Sequence, residues 1–523
     1  GGRADVGRAM AIDSLTFLPV HVPQISVNDL ARFSHLRVIR SVVPLRHHES
    51  SLRGTRPLVP LRIPADPPVA PDIRVAVFDG GLAAPAIAAH ATERMWPETT
   101  VTSDDFLEHG ALVTSAVLYG PVDSTAKVLP RPYAHVDHYR IATPHDETDP
   151  EMFDAVRRIC EVLDEGRHQF ANISLAPSIP VEDDDVHLWT SALEKRLASG
   201  RVLLTVAAGN DGDLAYPGSR VQVPSDLVNA VAVGASSAPG GLVSRWAKSS
   251  IGPGRSPGLI KPDGIAWGSA VPLYDPRSGH IVAMEGTSVA APLALRTAVG
   301  AAALANGVSS VMSRALLVHT AERSKGSSQA EIGHGRFCHD PLDLITCGNR
   351  EAMVVYEGRL EPGRPVGARL PWPDGAVFGR LRIRATLVFH TPVDLAHPLN
   401  YTKAGIEARL RRSPGGKTVS FFSRSKVFEN TEQQMRADAH KWETVVSKEI
   451  GVNADTLSDP VLELVYRARD EGLPVNNATL EPLPYVLVVT VVANAEPEFY
   501  DRVRQRYPVL IPMQLRVGVQ LPT

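Results

Sequence analysis

The feature that most restricts how this chain can fold is an alternation, from Ile73 to about Ile345, of short apolar runs with segments of helical spacing. Ile73-Arg-Val-Ala-Val-Phe78, Ala171-Asn-Ile-Ser-Leu175, Val202-Leu-Leu-Thr-Val-Ala-Ala208 and Val228-Asn-Ala-Val-Ala-Val-Gly234 are dominated by apolar residues, as strands covered on both faces must be. Between them, residues 109–118, 151–165, 186–199, 288–305 and 309–323 have the spacing of helices. Strands joined by helical crossovers run parallel, and the crossovers are right-handed. The pattern predicts a doubly wound, mostly parallel α/β sheet with helices on both faces.

At 523 residues the chain is longer than one ordinary domain. Residues 1–47 predict a small α/β segment, with strands at Ile12–Val22 and Val38–Leu45 around a helix at Val27–Leu36. Pro57, Pro60, Pro64, Pro67, Pro68 and Pro71 remove backbone donors from residues 48–72, which predicts an extended linker. The sheet region occupies 73–345. From 346 to 523 the pattern turns β-rich, at Leu381–His390, Val461–Tyr466, Tyr485–Val492 and Met513–Val519, and predicts a separate β-sandwich-like domain.

Composition narrows the function classes. A net charge of −3 leaves no footprint for dedicated nucleic-acid binding. The longest apolar runs, Val486–Ala493 and Ala298–Ala305, fall short of the roughly 20 residues of a membrane span, so no crossing of a bilayer is expected. The first residues lack a charged-then-apolar signal pattern, and a cytoplasmic location is the expectation. Three cysteines, Cys160, Cys338 and Cys347, are too few for a disulfide scaffold. His334, Cys338, His339 and Cys347 match no zinc spacing and read as loop residues, so neither a metal nor another cofactor is expected.

In a parallel sheet, ligands collect at the carboxyl ends of the strands. Asp79 follows the first strand in Phe-Asp-Gly-Gly, and Asn210 follows another in Ala-Ala-Gly-Asn. His109 and Ser288 each stand where a helix is expected to begin, on the same edge. Singly these are turn and cap residues, and Ser288 reads first as a helix cap. Together they are complementary. A serine hydroxyl needs an imidazole to take its proton, the imidazole needs a carboxylate to fix its tautomer, and a new oxyanion needs a donor such as an asparagine amide.

At these residues the chain resembles the subtilase family of serine proteases, whose chain order is also Asp, His, Ser. The likeness runs through Val75-Ala-Val-Phe-Asp-Gly-Gly81, His109-Gly-Ala-Leu-Val-Thr-Ser115, Ala207-Ala-Gly-Asn210 and Gly286-Thr-Ser-Val-Ala-Ala-Pro292. Val223-Pro-Ser225, Lys261-Pro-Asp263 and Arg314-Ala-Leu-Leu-Val-His-Thr-Ala321 extend it. The resemblance implies a triad of Asp79, His109 and Ser288, with Asn210 in the oxyanion hole. It also implies substrate contacts from Ser174, Leu175, Ala176, Ala207, Ala208 and Gly209.

The chain departs from the family where a Ser or Thr is usual: Gly80 follows the aspartate and Ala111 follows His-Gly. Ala176 replaces a usual glycine in the substrate-pairing segment, and Pro177 removes a donor there, which implies selectivity rather than broad digestion. The β-rich end resembles accessory domains of multidomain bacterial subtilases, some paired with AAA-type ATPases, so regulated proteolysis with such a partner is one expectation. Residues 11–48 stand where a propeptide would, and read equally as a pro-segment or a docking module. The alternatives to a serine endopeptidase acting on proteins or peptides are a catalytically silent scaffold of the same fold and a peptidyl transferase using the same acyl-enzyme.

Three further motifs are weaker. Pro414-Gly-Gly-Lys-Thr418 resembles a phosphate loop but has Arg411 at its first glycine, and reads as a hairpin turn. Asn172, Asn400 and Asn477 sit in glycosylation-type triplets without other signs of secretion. Glu182-Asp-Asp-Asp185 is expected to complement the dipole of a helix starting near Val186, with attraction of basic substrate side chains as the alternative.

Overall fold

The computed structural model describes residues 2–41, 53–55, 61–144, 149, 152–324, 326–423, 431–469, 480–508 and 513–515. Residues 48–52 and 56–60 of the expected linker, the end of the expected strand at 38–45, Asn477 and most of the expected strand at 513–519 lie outside the described residues.

Seven strands make one parallel sheet: β1 (Arg74–Asp79), β2 (Ala91–Met95), β3 (His135–Arg140), β4 (Phe170–Ile173), β5 (Leu203–Ala207), β6 (Val231–Ser236) and β7 (Gly264–Trp267). Their spatial order is β7-β6-β5-β4-β1-β3-β2. The connecting helices are α1 (Asp104–Leu118), α2 (Phe153–Asp164), α3 (Leu188–Leu197), α4 (Thr287–Leu304) and α5 (Ser310–Thr320). Side chains alternate along β1: Val75 and Val77 join a core with α1, α4 and α5, while Ala76 and Phe78 join one with α2 and α3. The sheet is thus the middle layer of three. Strand order reverses around β1, which lies between β3 and β4, so its carboxyl end opens on the crevice where such sheets bind ligands.

β2 and β3 escape a hydrophobicity reading because they carry charge. Asp137 of β3 is buried, yet it accepts hydrogen bonds from Arg74 at 2.8 Å, Arg94 at 3.2 Å and His168 at 3.0 Å. Burial would raise this carboxyl, but those partners hold it well below the usual carboxylate range. The N-terminal segment also differs from expectation. The run Ile12–Val22 is broken at Asp13, where φ is 50°, into a hairpin of Met10–Ile12 with Leu15–Phe17; Val20–His21 pairs instead with Arg3–Ala4. Only Val27–Leu30 is helical, and residues 38–41 form no strand. Ile12 packs into the α2 and α3 core, so this segment is part of the fold.

After β7, strands β8 (Val271–Tyr274) and β9 (Ile281–Met284) pair antiparallel, and Arg53–Thr55 adds to the other edge of β9. β9 leads directly into α4. That helix is an apolar rod with 94% of its residues buried inside the protein, which accounts for its alanine-rich sequence.

The β-rich region contains β10 (Glu351–Leu360), β11 (Val366–Arg369), β12 (Arg380–Phe389), β13 (Ala404–Arg411), β14 (Thr418–Phe422), β15 (Val445–Asn453), β16 (Val461–Ala468) and β17 (Leu483–Val492). They form two antiparallel sheets, β10-β17-β12-β15 and β11-β16-β13-β14. Leu381, Ile383, Ala385 and Leu387 meet Ile406, Ala408, Leu410, Leu462 and Leu464 between them. Pro414-Gly-Gly416 lies in the connection from β13 to β14, with Gly415 at φ 71°.

The sandwich is not hung on a linker. Val388, Val445, Val486 and Val488 enter the same core as α4 and α5. His319 of α5 bridges Thr386 at 3.0 Å and Thr490 at 2.7 Å, and buried Arg314 donates to the Val228 carbonyl at 2.9 Å and to Thr444 Oγ1 at 3.2 Å. The continuous apolar run of β17 is the sequence trace of this contact, since a strand buried on both faces need not alternate.

Candidate active site

Asp79 closes β1 and is fully buried. His109 does not begin its helix: Ser103 caps α1 by accepting from the Phe106 N–H, and Asp104 and Asp105 complement the helix dipole, which places His109 in the second turn. From there His109 Nδ1–H donates to Asp79 Oδ1 over 2.7 Å. A carboxylate only accepts, so the proton sits on Nδ1 and Nε2 keeps its lone pair. The Gly80 N–H donates to the same Oδ1 over 2.8 Å. Burial opposes charging of His109, but the charge and hydrogen bond of Asp79 outweigh it and raise the imidazole above its ordinary value.

Close packing fixes two glycines. A Cβ on Gly110 would sit 2.0 Å from the Gly81 carbonyl oxygen, which no side chain permits. A Cβ on Gly80 would lie 2.3 Å from the Phe106 ring, so that ring occupies the volume a Ser or Thr would need.

Gly286 caps α4 at φ 130°, a conformation suited to glycine, and Ser288 follows in the first turn. The Thr287 N–H and hydroxyl both donate to Asn210 Oδ1, at 2.8 and 2.9 Å, which turns the Asn210 amide nitrogen away from them. A Cβ on Gly286 would lie 3.2 Å from both Asn210 Nδ2 and Ser288 Oγ. The absent side chain therefore leaves a gap that an amide donor and a hydroxyl share. Asp79, His109, Asn210 and Ser288 line one cleft.

The sequence profile of the subtilase family matches residues 71–335, which takes in both the sheet and this cleft. The chain belongs to the subtilase family.

Three solved structures similar to this subtilase are a serine-to-alanine mutant of the protease domain of PatA, the prenylagaramide maturation protease PagA and the patellamide maturation protease PatG. Their identities are 23%, 23% and 15%. The alignments cover 52%, 53% and 53% of this chain and 94%, 92% and 90% of those chains, with TM-scores of 0.41, 0.38 and 0.37. No curated protein matches the chain.

Among the substrate-contact candidates of this subtilase, Ser174, Leu175, Ala176, Ala207 and Gly209 line the cleft. Ala208 does not: it is fully buried, its N–H bonds the Val233 carbonyl at 3.0 Å and its carbonyl accepts the Gln222 N–H at 2.9 Å. Ser174 also has a structural duty. Pro292, four residues after Ser288, has no N–H for the Ser288 carbonyl, and the Ser174 hydroxyl takes that place at 3.0 Å. Asn172 in turn donates to Ser174 Oγ at 2.8 Å and accepts from Thr205 at 3.0 Å, so its side chain is committed inside the fold.

Pro177, already singled out in the substrate-pairing segment, lines the cleft too, and so do Phe106, Ser178, Gln222, Val223 and Glu285, which were not among the sequence candidates. Val223 lies in a stretch that carried the family likeness, and Glu285 is the residue before Gly286; these were the available signals. The acidic run does not cap the following helix. α3 starts at Leu188 behind His187, and Glu182, Asp183, Asp184 and Asp185 pair with Arg40, Arg220, Arg436 and Arg37 at 2.7, 2.9, 2.7 and 2.7 Å. The run ties the N-terminal segment and the β-rich region to the sheet domain, each of its carboxylates pairing with an arginine of the chain.

Proposed function

We propose that this subtilase hydrolyses internal peptide bonds through an acyl-enzyme. The single observation that carries the reading is the 2.7 Å Asp79–His109 hydrogen bond in a cleft that Ser288 and Asn210 share. In the reaction, Ser288 Oγ attacks the scissile carbonyl carbon while His109 Nε2 takes the hydroxyl proton. Asp79 holds the imidazole in the required tautomer and stabilises its charge. The Asn210 amide and the Ser288 N–H bind the oxyanion, in the gap that Gly286 leaves open. His109 returns the proton to the leaving amine, and water, activated by the same imidazole, releases the acyl group.

The side chain of Ala176 and the missing N–H of Pro177, both lining the cleft, support selective rather than digestive cleavage. An AAA-type ATPase stays a candidate partner within this proposal, tested by ATP-dependent stimulation of cleavage in a reconstituted pair. The reaction itself is tested by incubating the purified chain with unfolded protein and sequencing the fragments by mass spectrometry. New termini with wild type and none with Ser288→Ala support the reading; equal cleavage by both overturns it.

A further inference from the structure

His138 lies on β3 opposite Val77 of β1, two residues before Asp79, so its side chain shares the α1 face of the sheet with that of Asp79. It is fully buried under the turn of α1 that follows His109: a Cβ on Gly110 would be 2.9 Å from His138 Cε1, and Thr114 Oγ1 is 2.8 Å from His138 Nδ1. Two buried polar atoms of this layer, Asp79 Oδ2 and His138 Nε2, have no hydrogen-bond partner among the described residues. Buried polar atoms are seldom left that way.

The ring's tautomer follows from counting protons. Thr114 has one hydroxyl proton, and His138 Nδ1 is the only partner of that hydroxyl among the described residues. Donated to Nδ1, the proton leaves the ring's own hydrogen on Nε2. The reverse arrangement would strand the Thr114 proton and expose a lone pair on Nε2 to the field of a carboxylate. Burial pushes the His138 imidazole down, keeping it neutral, and Asp79 is the foremost charge opposing that shift. His138 is thus a neutral N–H donor on the same face of the sheet as a carboxylate oxygen that lacks one. Residue 80, next to Asp79, supplies no hydroxyl, because the Phe106 ring fills the space a side chain there would need.

We propose that His138, with its tautomer set by Thr114, is a positioning residue that donates from Nε2 through one bridging water to the free oxygen of Asp79, and so holds the carboxylate that orients His109. This rests on the proposed triad. Without the donor, Asp79 would carry more unshared charge and more freedom, so the imidazolium would be overstabilised and the proton transfer slowed.

The test compares wild type with His138→Phe, His138→Gln and Thr114→Val in the full chain, after circular dichroism has shown each to be folded. The measurements are the fluorophosphonate labelling rate of Ser288 and the pH profile of kcat/KM. His138→Phe is expected to lower kcat about tenfold at unchanged KM and move the acid limb up by about 0.5 pH unit. His138→Gln, which can still donate, should recover most of both effects. Thr114→Val should shift the limb the same way by less, and decides the matter alone if His138→Phe does not fold. An unchanged limb and kcat in the folded variants would overturn the role of His138 while leaving the triad intact. A wild type that neither labels nor cleaves would overturn the triad, and this inference with it.

Discussion

The imidazole of His109 and the carboxylate of Asp79 are joined by one short hydrogen bond, from Nδ1 to Oδ1, at the carboxyl end of the strand where the sheet reverses its order. That pairing raises the pKa of His109, with Asp79 outweighing burial. A base must be neutral to accept a proton, and a raised pKa means protonation persists to higher pH. The acid limb of kcat/KM should therefore lie above 6.5, the ordinary value of this group, and activity should rise through neutral pH. In Asp79→Asn the limb should fall, with kcat lower by about ten-thousandfold. A pH–rate series on both proteins measures this.

Gly286→Ala should cut kcat on the order of a hundredfold, as much as losing an oxyanion donor, because the new methyl group would stand 3.2 Å from Asn210 Nδ2 and Ser288 Oγ. The same substitution places a side chain at φ 130°. Steady-state kinetics beside Asn210→Ala, with a similar expected loss, separates blockage of the gap from general unfolding.

Restoring the family's hydroxyl at residue 80 should fail. Gly80→Ser drives a Cβ to 2.3 Å from the Phe106 ring and should cost about 1–3 kcal/mol of stability. The Gly80→Ser, Phe106→Ala double variant should be less unstable than the sum of the two single changes, since one overlap is relieved by the other. Denaturant melts of the four proteins close that cycle.

Glu443 sits at the seam between sandwich and sheet domain, where its carboxylate accepts the Ile260 N–H. Burial pushes its pKa up to about 8 against an ordinary 4.5, with Lys261 and Arg314 only partly offsetting it. Between those values the folded state holds a proton that the unfolded state has released, so stability from this group falls as pH rises from about 5 to 8. Glu443→Gln keeps an acceptor for Ile260 and should flatten that slope, read from melting temperatures across the same range.

What the sequence disclosed follows from where its signals are dense. β1, β4, β5 and β6 are apolar runs with few competing readings, and Asp79, Asn210 and Ser288 follow them or begin a helix in motifs of several residues. The start of α1 was missed because Asp104, Asp105 and Glu108 break the apolar spacing, which before Gly110 is carried by Phe106 alone. β3 was missed because Asp137 and His138 are polar, although one is held by arginines and the other by Thr114. The acidic run was misread for the same reason: its partners, Arg37, Arg40, Arg220 and Arg436, are distant in sequence, and no local pattern announces them.

The central claim is that Ser288 is a nucleophile activated by His109. The most direct measurement is labelling with a fluorophosphonate probe followed by peptide mapping of the adduct. The account predicts one adduct, on Ser288, absent from Ser288→Ala and slowed on the order of a millionfold in His109→Ala. Labelling at any other serine, or equal labelling of wild type and His109→Ala, would contradict it.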